Sequence, residues 1–350
     1  MRILHTSDVH LSEHRSETIS ALDEILRVAV ENSVDVLTIS GDVFDSHEDA
    51  EALRPQLRQK FSSDNLKIFA IPGNHDAEVY RSNLDFGSNF KVAVREPYEV
   101  FALDNTAIVA LPFTPTLNEK LLSQLQKEAE RDEAKVLLIH CTLDIGFSAG
   151  DFGEGEFYRY CPISKATLSR LGFDFVLAGH FHRITTILNL GDKGRFVYPG
   201  SPVSHSAKEI GKRQAILIDT EQKECRAIPL QSFYYDIYHI TATPGSEGRV
   251  VENIRRWISE RRNDCCSLKV IVDGFIERDE PSFRMAVEEV AKEANVDHLY
   301  RNVKEVLEHP LFIRFKKKLD KRNFGQKKNE IEEKVIEAMI RLLRSRELRA

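Results

Sequence analysis

Apolar residues along the first two-thirds of the chain follow two patterns that alternate. Short apolar runs at Ile3–Ser7, Val34–Ser40 and Leu66–Ile71 have strand length. Between them, Glu17–Glu31 places Ile19, Leu22, Ile25, Leu26 and Ala29 on one helical face, and a charged helix is predicted between Glu48 and Phe61. Further strands are predicted at Tyr98–Leu103, Thr106–Leu111, Lys135–His140 and Phe173–Leu177. Continuous apolar runs such as VLLIH, up to its final histidine, and FVLAG are the mark of strands covered on both faces. Strands separated by helices imply α/β layering. After His182 the pattern turns purely β (ITTILNL, RFVYPGS, RQAILIDT, CRAIPL), which predicts a second sheet packed on the first.

From Ser232 the character changes. A strand (Tyr235–Thr241), a helix (Gly248–Arg261), a strand (Ser267–Val272), a helix (Glu280–Ala294) and a strand (His298–Val303) form a small α+β unit. A basic stretch, KKKLDKRNFGQKKN, follows, and then a final helix from Glu330 to about Arg346. In that helix Ile331, Val335, Met339 and Leu342 form a stripe, flanked by Ile336, Ile340 and Leu343. The expected division is 1–231, 232–305 and 306–350. A length of 350 residues agrees with more than one core.

Composition narrows the class. At 42% hydrophobic and 30% charged, the chain is an ordinary globular protein. MRILHTSDVH has no long apolar segment, and no other run approaches a membrane span, so a cytoplasmic protein that does not engage a membrane is expected. Five cysteines without a CxxC pair read as reduced thiols, not as a disulfide frame or zinc knuckle. The net charge of −6 is unevenly spread: from Val306 onward, 13 Lys/Arg face 7 Asp/Glu, leaving +6 there and −12 before it. The basic tail could meet phosphate, an acidic partner or water, and charge alone does not choose.

The chemistry lies in short polar clusters, each at the C-terminal end of a predicted strand. They are Asp8-Val9-His10, Gly41-Asp42, Gly73-Asn74-His75-Asp76, the single His140 and Gly179-His180-Phe181-His182. Ligands of open α/β sheets bind outside the carboxyl ends of the strands, so these ends converge on one place. Gly41, Gly73 and Gly179 permit sharp turns and close backbone approach. Carboxylate, amide and imidazole without thiolate suit Mn²⁺, Fe or Zn²⁺. Seven such ligands (Asp8, His10, Asp42, Asn74, His140, His180 and His182) suit two divalent metal ions bridged by one carboxylate, a pair that activates water and stabilises in-line displacement at phosphorus. His75, next to a ligand, is the candidate for the leaving oxygen or the transferring phosphoryl. A lone histidine is more often a core or surface residue, and His5, His14, His47, His205, His239, His298 and His309 are read that way.

The ordered set DxH, GD, GNHD, H and GHxH resembles the signature of the calcineurin-like metallophosphoesterase superfamily, over about Met1 to Leu230. The resemblance implies a four-layered α/β/β/α sandwich. It also implies one metal held by Asp8, His10, Asp42 and His182, and another by Asp42, Asn74, His140 and His180, with Asp42 as the bridge. Within the superfamily, TSDVHL, GDVFD, IPGNHD and the Tyr198–Pro202 turn (YPGSP) are similar to those of the SbcD nucleases, relatives of the eukaryotic meiotic-recombination-eleven nuclease. On that resemblance the unit after Ser232 corresponds to a capping domain that grips DNA, and the last helix to the site where an SbcC-type ABC ATPase binds. A homodimer formed near Glu48–Phe61 and Glu78–Asn89 is implied as well. Asp45 departs from several relatives, which carry there a histidine that helps position substrate; by itself it reads as a surface or supporting carboxylate. The function expected is a Mn²⁺-dependent DNA exonuclease/endonuclease acting in repair of DNA ends. The alternative is a small-molecule phosphodiesterase or phosphatase with the same dinuclear site.

Overall fold

The structure is a computed structural model and describes residues 1–62, 66–82, 84–131, 133–144, 161–183, 185–262, 264–277, 279–302, 307–322, 327–328, 331–332, 334–336 and 338–339. The chain divides into two compact units, Met1–Tyr235 and Asp236–Ala350.

Unit 1 holds two six-stranded sheets. The first contains β1 (Arg2–Thr6), β2 (Val36–Ser40), β3 (Lys67–Ile71) and β4 (Phe90–Val92), all parallel. Beyond β1 it continues antiparallel through β13 (Gln214–Asp219) and β14 (Glu224–Pro229). The second sheet has β6 (Thr106–Ala110), β7 (Ala134–His140), β10 (Phe175–Gly179) and β12 (Gly194–Tyr198) in parallel. Its antiparallel edges are β5 (Glu99–Leu103) and β11 (Thr186–Leu190). A short parallel pair, β8 (Thr142–Asp144) and β9 (Pro162–Ser164), stands apart.

Alternate residues of each strand feed different cores, as the two-residue period requires. Ile3, Val36, Phe69 and Ile71 meet Ile108, Val136, Leu138, Leu177 and Val197 between the sheets. Leu4, Leu37, Ile39 and Ile68 face outward, under Leu22, Ile25 and Val28 of α1 (Ser16–Glu31) and Leu53 and Leu57 of α2 (His47–Lys60). On the far side, Val109, Leu137, Ile139 and Val176 lie under Leu121 and Leu125 of α3 (Glu119–Glu128) and Leu168 and Leu171 of α4 (Lys165–Leu171). The result is an α/β/β/α sandwich, as expected. Each aliphatic side chain fully buried in these layers contributes about 1.5–3 kcal/mol, which explains why apolar residues dominate the strand interiors.

Unit 2 is a three-stranded sheet, β15 (Tyr234–Ala242), β16 (Cys266–Ile276) and β17 (Ala294–Asn302), in the order β15-β16-β17. One face, with Val270, Val272 and Tyr300, lies under α5 (Glu247–Ser259) and α6 (Glu280–Val290), which contribute Val250, Ile254, Phe283 and Val287.

Several elements differ from the pattern-based expectation. β16 runs on to Ile276, and α6 stops at Val290, where the chain turns into β17. Helices α3 and α4 were not anticipated; each is short and begins at a side-chain cap, Asn118 or Ser164. Part of the supposed basic stretch is a helix, α7 (Pro310–Asp320), capped by His309 and burying Phe312 and Leu319. Its run of lysines masks those two anchors. Val335, Ile336 and Met339 join Phe275 and Phe312 in a small cluster, while Ile340, Leu342 and Leu343 of the expected last helix lie outside the described residues. Between Glu78 and Asn89 the described residues form only a 3-10 turn, Val79–Ser82. No helix among the described residues is long and apolar enough to cross a membrane.

Candidate metal centre

The parallel strands bring five polar termini to one rim. Beyond β1 and β2 the two chains stay paired, Asp8 N–H donating to Gly41 O (3.1 Å), His10 N–H to Asp42 O (3.0 Å) and Leu11 N–H to Val43 O (2.8 Å). This pairing holds a costly backbone. Asp8, His10, Asp42 and His180 all have positive φ (53°, 45°, 51° and 113°), a region that costs a residue with a side chain about 1–3 kcal/mol. His10 and His180 are the only histidines among the described residues in that region.

All seven candidate ligands come together. On one side, His10 Nε2 and His182 Nε2 are 3.3 Å apart, and His182 Nε2 is 3.8 Å from Asp8 Oδ1. On the other, His140 Nε2 is 2.9 Å from Asn74 Oδ1, and its ring centroid is 5.4 Å from that of His180. Asp42 stands between: its carboxylate clusters with the Asp8 carboxylate and the His10 imidazole, and its Oδ2 is 3.3 Å from His140 Nε2. The His180 N–H donates to the Asp8 carboxylate at 3.0 Å, tying the two sheets. Gly73 lies so close to Asp42 that a Cβ there would strike its carboxylate. At Gly41 (φ 89°), a Cβ would strike the His140 ring and lie 2.9 Å from Gly73 Cα.

Each of three imidazoles is aimed by a partner at Nδ1. His140 Nδ1 donates to Ser40 O (2.8 Å), His10 Nδ1 faces Asp45 Oδ1 (3.3 Å) and His182 Nδ1 faces Glu209 Oε1 (3.3 Å). With protons on Nδ1 of His10 and His182, their Nε2 lone pairs point at each other. A cation satisfies that arrangement and a hydrogen bond does not. Asp42 Oδ2 is likewise buried and, among the described residues, has no hydrogen bond. Burial works against the Asp42 carboxylate, yet His140, then His10 and His75, hold it well below the usual range. Burial also disfavours charge on His140, but Asp42 and Asp8 raise it to about 10. The centre attracts positive charge, and its oxygen and nitrogen donors fit a pair of divalent ions.

His75 is exposed beside this group, its ring edge-on to His10 at 5.0 Å and its backbone N–H donating to Asp42 Oδ1 (2.9 Å). Asp76 is buried and accepts from the N–H groups of Gly73 and Val43, both at 2.7 Å, and from Tyr80 Oη at 3.1 Å. It locks the GNHD turn onto the GD turn. Burial and Asp42 push its carboxyl up to about 6.

Sequence reasoning missed three contributors, His205, Glu209 and Arg213, and left Asp45 open between a surface and a supporting carboxylate. Asp45, half-exposed, sits just before Ser46, the cap of α2, and its contact with His10 holds its carboxyl below the usual range. His205, read above as an ordinary core or surface residue, lies 4.9 Å ring to ring from His10 and 5.2 Å from His182. Glu209 and Arg213 are buried behind His182. The one signal nearby was the YPGSP turn. Its Tyr198 Oη donates to Cys141 O (2.7 Å), just past His140, and its Ser201 N–H donates to His182 O (3.0 Å). A cavity of about 880 Å³ lined by Asp35, Lys67, Asp104 and Glu133 lies at the opposite ends of the strands, away from all these groups.

Residues 1–183, carrying every one of these strand-end clusters, match the description "calcineurin-like phosphoesterase". The chain belongs to the calcineurin-like phosphoesterase family. Two similar relatives are DNA-repair or nuclease proteins by name. The DNA double-strand break repair protein Mre11 of Methanosarcina acetivorans is 25% identical over 291 residues, which are 78% of this chain and 45% of that protein. The D component of the SbcCD nuclease of Bacillus subtilis is 25% identical over 261 residues, 62% of this chain and 66% of that one. The chain thus spans about half the length of the first of these curated relatives. Among solved structures, a dimetal phosphatase from Danio rerio is similar at 11% identity and a TM-score of 0.44, covering 62% of this chain and 91% of that one.

Proposed function

We propose that this phosphoesterase is a metal-dependent DNA nuclease of SbcD type, cleaving phosphodiester bonds in the processing and repair of DNA ends. The observation that carries the reading is the convergence of seven oxygen and nitrogen donors around one buried carboxylate, Asp42. Asp8, His10, Asp42 and His182 would hold one divalent ion, and Asp42, Asn74, His140 and His180 the other, with Mn²⁺ favoured over Fe or Zn²⁺. Such ions supply Lewis-acid activation of water and of the phosphoryl group. The chain's own residues do the rest. Strained backbone and the partners at Nδ1 preset the donor directions. His75, exposed beside the His10 ring, would protonate the leaving oxygen.

The choice of DNA is supported by the names of the two relatives. In this reading unit 2 grips the duplex, an SbcC-type ABC ATPase is the partner, and two copies of the chain work together. The test is direct. Incubated with Mn²⁺, the protein should degrade linear duplex DNA and lose that activity to a chelator. Hydrolysis of bis(p-nitrophenyl) phosphate with DNA left intact would overturn the nuclease assignment in favour of a small-molecule phosphodiesterase.

A further inference from the structure

The polar groups behind the site that the chemistry leaves unused form one cluster around Glu209. Glu209 is 3% exposed and Arg213 is 4% exposed. Glu209 Oε1 faces His182 Nδ1, while Oε2 accepts from the His205 backbone N–H at 2.8 Å and lies 3.4 Å from Ser201 Oγ. Arg213 donates from Nε to Ser201 O (3.1 Å), from Nη1 to Glu209 O (3.2 Å) and from Nη2 to His182 O (2.5 Å). The backbone on both sides of the Glu209–His182 contact is therefore held by one guanidinium.

His205 closes the cluster. Its Nδ1 is 3.1 Å from Arg15 Nη1, and a guanidinium can only donate. The ring proton is then on Nε2, which donates to Asp8 O at 3.0 Å. His205 stands within ligand range of His10 and His182, yet neither of its nitrogens has a lone pair to give a metal. It braces the strained Asp8 backbone instead.

Burying a carboxylate and a guanidinium costs several kcal/mol, and a plain strand-ending turn has no need of either. A carboxylate behind an imidazole fixes its tautomer and raises its basicity toward a metal. The two halves of the centre differ in this respect. His10 and His182 are backed by carboxylates, whereas His140 is backed by a neutral carbonyl and stands beside a neutral amide, Asn74. We propose that Glu209, held by Arg213 and His205, is a positioning residue that sets the affinity of the Asp8–His10–His182 metal position, with little effect on the Asn74–His140–His180 position. The proposal rests on the metal centre described above.

The test is a titration of Mn²⁺ into the full, metal-free chain, followed by the electron paramagnetic resonance of free Mn²⁺ and by metal content. His182→Ala and His140→Ala assign the two binding steps. Glu209→Ala should weaken the step that His182→Ala abolishes by about a hundredfold, and Glu209→Gln, which keeps the volume and one acceptor, by about tenfold. The other step should stay within about twofold, and His205→Ala should still bind two ions. Unchanged affinity in both Glu209 variants overturns the proposal. So does an equal loss of both steps with a lowered melting temperature of the metal-free protein, which would make Glu209 a structural residue only. A wild-type chain that binds no Mn²⁺ would instead overturn the metal centre itself, and that is read before any variant is made.

Discussion

The rim of unit 1 and the sheet of unit 2 place most of their ionisable groups differently. At the rim of unit 1, Asp8, Asp42, His140 and His180 are at most 1% exposed, and three of them sit on left-handed backbone. On the sheet of unit 2, Lys269 and Asp297 pair at 2.7 Å while each stays about two-fifths exposed, and His239, which pairs with the buried Asp273 at 2.6 Å, is itself largely in solvent. Both units cover their strands with helices by the same hydrophobic logic. The difference is that unit 1 accepts desolvation and backbone strain at one rim, which a fold under selection for stability alone would shed. Buried, strained polar groups mark chemistry; exposed pairs mark surface.

The largest effect should come from the rim. His75→Ala is expected to lower turnover on DNA by roughly a hundredfold to ten-thousandfold while both metal positions keep their affinity. Loss of both ions in that variant would make His75 part of the metal centre and blur the contrast between donor and bystander.

A middle-sized effect concerns a buried group that has no part in the chemistry. His5 lies between the sheets, with Nδ1 3.1 Å from Thr38 Oγ1 and Nε2 3.3 Å from Ala178 O. Burial lowers its pKa to about 4. The unfolded chain therefore binds a proton near pH 6.5 that the folded chain refuses. Stability is complete above that pH and falls as pH drops from about 6.5 to about 4, by roughly 3 kcal/mol in all. Denaturant unfolding across this range should show the slope, and His5→Asn should flatten it. A slope unchanged in His5→Asn would assign the loss to other groups.

The smallest effect belongs to unit 2. Lys269→Ala removes an exposed ion pair and should change stability by less than about 1 kcal/mol, with metal binding untouched. A larger loss would mean that the polar face of that sheet carries more of the fold than its exposure suggests.

Much of this molecule was readable in advance, and the limits follow range. Apolar runs such as VLLI before His140 and FVLAG named their strands because a strand buried on both faces leaves few polar positions. The five strand-end clusters were legible because each is contiguous in sequence and parallel strands carry their C-terminal ends to one rim. Helix α7 was obscured because Phe312 and Leu319 are two anchors in a run of lysines. Short helices such as α3 and α4 expose too few periodic positions to stand out.

By itself, then, the sequence determined the layered α/β architecture, the order of the motifs and the donor types, since all three are written in local spacing and side-chain chemistry. Only the tertiary structure decided which distant residues serve those donors. The Asp8 carboxylate meets the His180 backbone across 172 positions, and His205 braces Asp8 across 197. Glu209 stands behind His182 because Arg213 and the YPGSP turn fold it there. Such contacts leave no periodic trace along the chain, because a hydrogen bond constrains where two groups end up in space and not how far apart they lie in sequence.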